Sequence, residues 1–166
     1  MSDTVFNVLF LCTGNSARSI LAEAILNELG QGRFKAFSAG SNPVGKVNQN
    51  VLEILEGHHF STQGLRSKNW DEFAATDAPQ LDFVFTVCDN AAGEVCPIWP
   101  GQPMTAHWGL EDPVAIASDK EQKLAILETM AQLKRRLGIF VNLPIEKLER
   151  HSLKKELDGI GQLPRN

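Results

Sequence analysis

The sequence lacks the features of several common protein classes. It has no tyrosine, no basic segment at its amino terminus, and no apolar run near the roughly 18 residues that cross a membrane. Acidic residues outnumber basic ones by 20 to 16, which gives a formal net charge of −4. A mildly acidic chain is a poor ligand for a general polyanion. These absences predict a cytoplasmic protein that spans no membrane and binds no nucleic acid.

Cysteine is also scarce, because the chain of 166 residues has three, an odd number that does not suit a disulfide scaffold. In a reducing compartment we expect such thiols to be free, catalytic or redox-active. Hydrophobic residues make up 43% of the chain and charged residues 22%, so its length supports a core without disulfides or metals. No repeat, low-complexity tract or linker stands out. We therefore predict one domain over residues 1–166, with a core over about 5–137 and a helical extension over about 139–166.

The hydrophobic pattern alternates between strand and helix. Val5–Leu11 is a nearly continuous apolar run, which is typical of a strand buried on both faces of a parallel sheet. A helix follows and ends at Gly30. Further strands are predicted over residues 34–37, 81–88 and 104–108, and further helices over 48–56, 119–137 and 145–157. This order predicts an α/β fold, a three-layer sandwich in which helices flank a four-stranded parallel sheet.

The most informative segment joins the first strand to the first helix. It begins with Cys12 and ends with Arg18 and Ser19, and the residues between them are small: Thr13, Gly14, Asn15, Ser16 and Ala17. The backbone N–H groups of such a loop, together with a helix N-terminus, form a binding site for a phosphate-sized oxyanion. Gly14 and Asn15 tolerate the left-handed backbone that these loops often need. Arg18 can bind two oxygens of the anion as a fork.

Cys12 lies where it can act as a nucleophile. A helix N-terminus and a nearby arginine both favour the thiolate, so we predict that the pKa of Cys12 is depressed. The alternative is a buried structural cysteine in an ordinary strand-to-helix turn.

The run LCTGNSARS over Leu11–Ser19 resembles the signature of the low-molecular-weight protein tyrosine phosphatase fold. That fold is shared by phosphotyrosine phosphatases and one class of bacterial arsenate reductases. Ser38-Ala39-Gly40, after the second strand, and Asp112-Pro113 match two further landmarks of the family, although an Asp-Pro step alone is often only a turn. The resemblance covers about Val5 to Leu137, most of the chain.

The resemblance implies a role for each matching residue. Cys12 is the nucleophile, and Arg18 binds the oxyanion together with the loop residues 13–19. The Ser19 hydroxyl donates a hydrogen bond to the thiolate, and Asp112 is the general acid.

The other two cysteines resemble those of the arsenate reductases of this fold. Cys88 ends the third predicted strand, Cys96 follows in a loop rich in glycine and proline, and the run AHWGLEDP over 106–113 also matches. The resemblance implies that Cys12 attacks arsenate and that Cys88 then attacks the Cys12 sulfur to leave a disulfide. It further implies that Cys96 passes this disulfide to thioredoxin, or to glutaredoxin with a small thiol. The alternatives are two core thiols, or a zinc site that includes His107.

The chain differs from its relatives at the residues of a potassium site and at the residues that follow Asp112-Pro113. Asn15, Glu23 and Ser38 match parts of a potassium site in the reductases, but Arg66 and Lys68 disfavour a cation, so we predict no metal and no cofactor.

The alternative function is a tyrosine phosphatase that hydrolyses phosphotyrosine through a cysteinyl-phosphate. The lack of tyrosine after Asp112-Pro113 disfavours this alternative. A third possibility is a thiol sensor or anion-binding module without turnover.

Overall fold

The computed structural model describes residues 4–88, 99–116 and 118–163. Its strands are β1 (Phe6–Leu11), β2 (Phe34–Ala39), β3 (Phe83–Thr86) and β4 (Met104–His107), and they form a parallel sheet in the order β2-β1-β3-β4. The helices are α1 (Arg18–Leu29), α2 (Gln49–Gly57), α3 (Asp119–Val141) and α4 (Arg150–Gly161). Short 3₁₀ turns lie at Trp70–Phe73, Pro113–Ala115 and Ile145–Lys147. The predicted α/β fold with a four-stranded parallel sheet is confirmed.

The topology of the sheet creates a site at its carboxyl edge. Leu11 at the end of β1 lies opposite Ala39 of β2 on one side and Thr86 of β3 on the other. In open sheets of this kind, ligands bind where the chain leaves neighbouring strands in opposite directions. Cys12 and Cys88 follow β1 and β3 within two residues, so both belong to this edge.

Side chains of β1 alternate between two apolar layers. Val8 and Phe10 belong to the larger core, which the helices cover, whereas Leu9 and Leu11 belong to a smaller core with residues of the Trp70–Phe73 turn. This two-sided burial explains the nearly continuous apolar run of the strand.

Trp108 is part of the larger core, as predicted. Its ring stacks on Phe85 with centroids 4.2 Å apart, and its Nε1 donates a 3.0 Å hydrogen bond to the Leu157 carbonyl of α4. The terminal helix is thereby fixed against the segment that follows β4.

Two predicted helix boundaries are wrong. Helix α3 continues through Gly138 to Val141, because the buried Phe140 extends the apolar face and outweighs the cost of about 1 kcal/mol for a glycine within a helix. The predicted helix over 145–157 is interrupted, since Leu148 and Glu149 have extended backbone and α4 begins only at Arg150.

Within the described ranges, no helix is both long enough and apolar enough to cross a membrane.

Candidate active site

The loop after β1 has backbone N–H groups that are available as hydrogen-bond donors. Asn15 takes the predicted left-handed backbone with a φ of 46°, whereas Gly14 does not. Helix α1 begins after Ala17 without a side-chain cap. Among the described parts of the chain, the following N–H groups have no backbone acceptor: Asn15, Ser16, Ala17, Arg18 and Ser19. Unsatisfied amides at a helix N-terminus are suited to binding an anion.

Neighbouring segments hold this loop from the outside. The Gly14 carbonyl accepts hydrogen bonds from Val44 N (3.0 Å) and Ser67 Oγ (3.3 Å). The fully buried Asn15 accepts a 2.9 Å bond from Lys68 N at Oδ1, and its Nδ2 donates to Ser19 Oγ over 2.8 Å. These contacts fix the Gly14 carbonyl and the Asn15 side chain, and they leave the backbone N–H groups of the loop available to a ligand.

Arg18 and Asp112 meet at the mouth of the site. Arg18 Nη1 donates a 2.9 Å hydrogen bond to the Leu110 carbonyl, and Nη2 lies 3.8 Å from Asp112 Oδ2. Asp112 Oδ1 accepts a 3.0 Å bond from Val114 N, so this residue also begins the following turn. The Asp112 side chain remains 42% exposed, which keeps its carboxyl accessible to a ligand.

These residues enclose a small cavity. Its volume is about 170 Å³, which accommodates a tetrahedral oxyanion and several waters at about 30 Å³ each. Val44 and Val114 line it, and among the described residues no aromatic side chain does so. The lining also includes Cys12, Gly14, Asn15, Ser16, Ala17, Arg18 and Asp112.

Cys12 lines this cavity, and the Cys88 thiol is its neighbour. Both are buried, and they are not joined by a disulfide. Thr13 N donates to Cys88 Sγ over 3.3 Å. The structure thus brings together the nucleophile predicted from the loop and the second thiol predicted at the end of β3.

The structure contradicts the prediction of a depressed pKa for Cys12. The hydrogen bond with Cys88 and the burial of the thiol raise the pKa of Cys12 above its usual value, while the nearby Arg18 lowers it by less. The sequence prediction included the arginine and the helix N-terminus, but it did not include the second thiol as a neighbour.

The thiol relay through Cys96 and the alternative zinc site with His107 are described only in part. Cys96 lies within 89–98, outside the described residues. His107 Nδ1 lies 2.7 Å from Thr86 Oγ1. Within 4–88, 99–116 and 118–163, no three His, Cys, Asp or Glu residues form a group that could hold a metal ion.

The region that matches a potassium site contains a lysine amine instead. Lys68 Nζ lies 2.7 Å from the Ser38 carbonyl and 3.9 Å from Glu23 Oε1. The residues therefore do not fit a resident potassium ion, because the amine takes the place of the cation. Sequence reasoning treated Lys68 as a repelling charge and missed that it is buried, since no local pattern marks it as an inward residue.

Residues 7–157 match the family of low molecular weight phosphotyrosine protein phosphatases, and the chain belongs to this family of enzymes. Within the family, the predicted resemblance to arsenate reductases is confirmed. The arsenate reductase of Bacillus subtilis is 31% identical over 121 residues, which are 73% of this chain and 84% of that protein.

Solved structures give the same result. A structure described as an arsenate reductase in the phosphate-binding state has a TM-score of 0.67 and 27% identity, over 82% of this chain and 97% of that one. The thioredoxin-dependent arsenate reductase of Corynebacterium glutamicum has a TM-score of 0.59 and 28% identity over 85% of this chain. This chain spans 64% of the length of the Corynebacterium protein.

Proposed function

We propose that this protein reduces arsenate to arsenite through Cys12, Cys88 and Cys96. The observation that carries the proposal is a second buried thiol beside the oxyanion cavity: Cys12 lines the cavity, and the backbone N–H of the next residue, Thr13, donates a 3.3 Å hydrogen bond to Cys88 Sγ. Phosphate ester hydrolysis in this fold needs a nucleophile, an arginine and an acid, and gives a second thiol no role. Reduction needs two electrons, which two adjacent thiols can supply as they form a disulfide.

In the first step, arsenate binds to the open amides of residues 15–19 and to the Arg18 side chain. The Cys12 sulfur attacks arsenic and gives up its proton, and a hydroxyl leaves as water after Asp112 protonates it. The product is a Cys12 thiol–arsenate adduct. Ser19 Oγ accepts a hydrogen bond from Asn15, so its own hydrogen is available to stabilise the Cys12 thiolate.

In the second step, the Cys88 sulfur loses its proton and attacks the Cys12 sulfur. The S–S bond forms as the S–As bond breaks, and the electron pair of that bond reduces As(V) to As(III), which leaves as arsenite. The hydrogen bond from Thr13 N to Cys88 Sγ stabilises negative charge on the attacking sulfur.

In the third step, we infer that Cys96 attacks Cys88 and carries the disulfide to an external reductant. The similar Corynebacterium glutamicum protein is described as thioredoxin-dependent, which favours thioredoxin over glutaredoxin with a small thiol. A relay of this kind requires a reducing compartment, so we assign the protein to the cytoplasm.

Separate assays for arsenate and aryl phosphate test the proposal. We expect arsenite formation from the wild type with thioredoxin, thioredoxin reductase and NADPH, and none from Cys12→Ser or Cys88→Ser. Hydrolysis of para-nitrophenyl phosphate provides the matched control, because it depends on Cys12 but not on Cys88. Arsenite formation by Cys88→Ser at the wild-type rate would contradict the relay. No arsenite from the wild type, with turnover of a phosphotyrosine peptide, would instead establish a phosphatase.

A further inference from the structure

The buried side chain of Lys68 ends among oxygen atoms beside the oxyanion loop. Its Nζ lies 2.7 Å from the Ser38 carbonyl and 2.8 Å from the Arg66 carbonyl. The Ser38 hydroxyl is 3.5 Å away and the Glu23 carboxylate 3.9 Å away. Lys68 is 8% exposed, so water provides little solvation. Carbonyl, hydroxyl and carboxylate oxygens from three parts of the chain thus surround one nitrogen, as oxygen ligands surround a hard cation.

The contacts of this nitrogen are those of an ammonium group. Two carbonyls and a hydroxyl can all accept from three N–H donors, and the Glu23 carboxylate supplies the opposite charge. Burial lowers the pKa of Lys68 and raises the pKa of Glu23, and each charge opposes the shift of the other. Glu23 is also oriented, because Ser38 Oγ donates a 2.5 Å hydrogen bond to its Oε1.

The main chain of Lys68 connects this charge to the oxyanion loop. Lys68 N donates to Asn15 Oδ1 over 2.9 Å, and the Lys68 carbonyl accepts a 2.9 Å bond from Gly40 N. Asn15 has the left-handed backbone of the loop, and its Nδ2 in turn holds the Ser19 hydroxyl. A displacement of Lys68 therefore moves the side-chain partner of Asn15.

We infer that the Lys68 ammonium is a tethered substitute for a bound monovalent cation, and that Lys68 is a positioning residue for oxyanion binding. It acts through Asn15 and does not touch the ligand. The inference deepens the proposed function, on whose oxyanion site it rests, but it applies to any tetrahedral oxyanion in this loop. The wild type accordingly needs no added potassium to bind one.

Two substitutions of Lys68 separate a cation role from a packing role. Lys68→Ala removes the ammonium and opens space for a free ion, whereas Lys68→Met removes the charge and fills that space with apolar atoms. Affinity for inorganic phosphate is measured by its protection of Cys12 from iodoacetamide. The assays use choline, lithium, potassium or ammonium chloride at constant ionic strength.

We expect Lys68→Ala in choline chloride to bind phosphate roughly 10- to 100-fold more weakly, the usual effect of losing a partner that orients a ligand-binding group. Potassium or ammonium, but not lithium, restores most of the affinity, whereas Lys68→Met binds weakly in every salt. The wild type binds equally in all four salts. Lys147→Met, which changes an exposed lysine of the pocket at the opposite edge of the sheet, behaves like the wild type.

Wild-type affinity in Lys68→Ala, or weak binding that potassium and ammonium do not improve, would overturn the inference. If Lys68→Ala is unstable, its thermal unfolding midpoint is measured in each salt. A midpoint that rises with potassium but not with choline supports the inference, and a variant that is unfolded in every salt contradicts it. Phosphate protection requires no arsenate chemistry. A protein that reduces no arsenate can therefore still confirm the role of Lys68, and the two failures remain distinguishable.

Discussion

The backbone N–H of Thr13 donates a 3.3 Å hydrogen bond to the sulfur of Cys88. A residue of the oxyanion loop therefore contacts the second thiol directly, and the same thiol raises the pKa of Cys12. The loop, the nucleophile and the resolving thiol thus form one connected unit at the edge of the sheet.

Replacing Cys88 is expected to lower the pKa of Cys12. The hydrogen bond with Cys88 is the largest cause that raises this pKa, and Cys88→Ala removes it while the lowering effect of Arg18 remains. A lower pKa increases the thiolate fraction at neutral pH, about tenfold for each unit well below the pKa. The pH profile of Cys12 alkylation by iodoacetamide, followed by mass spectrometry, should shift to lower pH. A profile at the wild-type pH or at higher pH would show that Cys88 does not raise the pKa of Cys12.

Asp112→Asn is expected to slow arsenate turnover by about 10²- to 10⁴-fold, the usual contribution of a general acid. Phosphate binding should change little, because the proposed mechanism assigns oxyanion binding to the loop amides and Arg18. Asparagine also retains an oxygen that can accept from Val114 N and begin the turn. Single-turnover rates with arsenate and protection of Cys12 by phosphate check the two statements. Glu111→Gln serves as the neighbouring control, and undiminished turnover in Asp112→Asn would remove this residue from the mechanism.

Gly40→Ala is expected to disturb the oxyanion loop. A Cβ at this position would clash with the main-chain oxygens of Thr13 and Cys12, which are backbone atoms at the start of the loop. We expect a loss of about 1–3 kcal/mol in the free energy of unfolding, as for other overpacked sites, together with weaker phosphate binding. Urea unfolding measures the first and Cys12 protection the second.

Gly57→Ala provides the comparison for Gly40→Ala, because a Cβ at position 57 meets no atom within 4 Å. If the two variants were equally stable and bound phosphate equally, close packing of Gly40 against the loop would not matter.

Gly161→Ala is expected to loosen the terminal helix α4. A Cβ at this position would clash with the His107 carbonyl and lie 2.9 Å from Trp108 Cδ1. The expected cost is again about 1–3 kcal/mol of unfolding free energy. Gly159→Ala, two residues earlier in the same helix, has open space around its Cβ and should be neutral or stabilising by up to about 1 kcal/mol. Equal urea midpoints for both variants would contradict close docking of α4 on the segment after β4.

The fold was largely predictable because its strongest signals are local. The apolar run of β1 and the glycine after α1 mark elements whose type depends on short-range pattern. The end of α3 was not predictable from Gly138, because the buried Phe140 beyond it extends the helix through tertiary packing. Local propensity is a weak guide where tertiary contacts decide the boundary.

The site was predictable where the loop sequence itself carries the chemistry. Cys12 and Arg18 of the loop line one cavity together with Asp112, which the family resemblance predicted; their catalytic roles stay predictions. The proton balance between Cys12 and Cys88 was not predictable, since it depends on a contact between residues 76 positions apart. The burial of Lys68 was missed for the same reason, because its partners Ser38 and Glu23 come from distant parts of the chain.

The central claim is that Cys12 and Cys88 together supply the electrons that reduce arsenate. The most direct measurement incubates fully reduced protein with one equivalent of arsenate without oxygen or any external thiol, then alkylates it and maps disulfides by mass spectrometry. Phosphate replaces arsenate in the control. We predict one arsenite released per protein, with a disulfide between Cys12 and Cys88 or, after relay, between Cys88 and Cys96. Three free thiols and no arsenite would contradict the account.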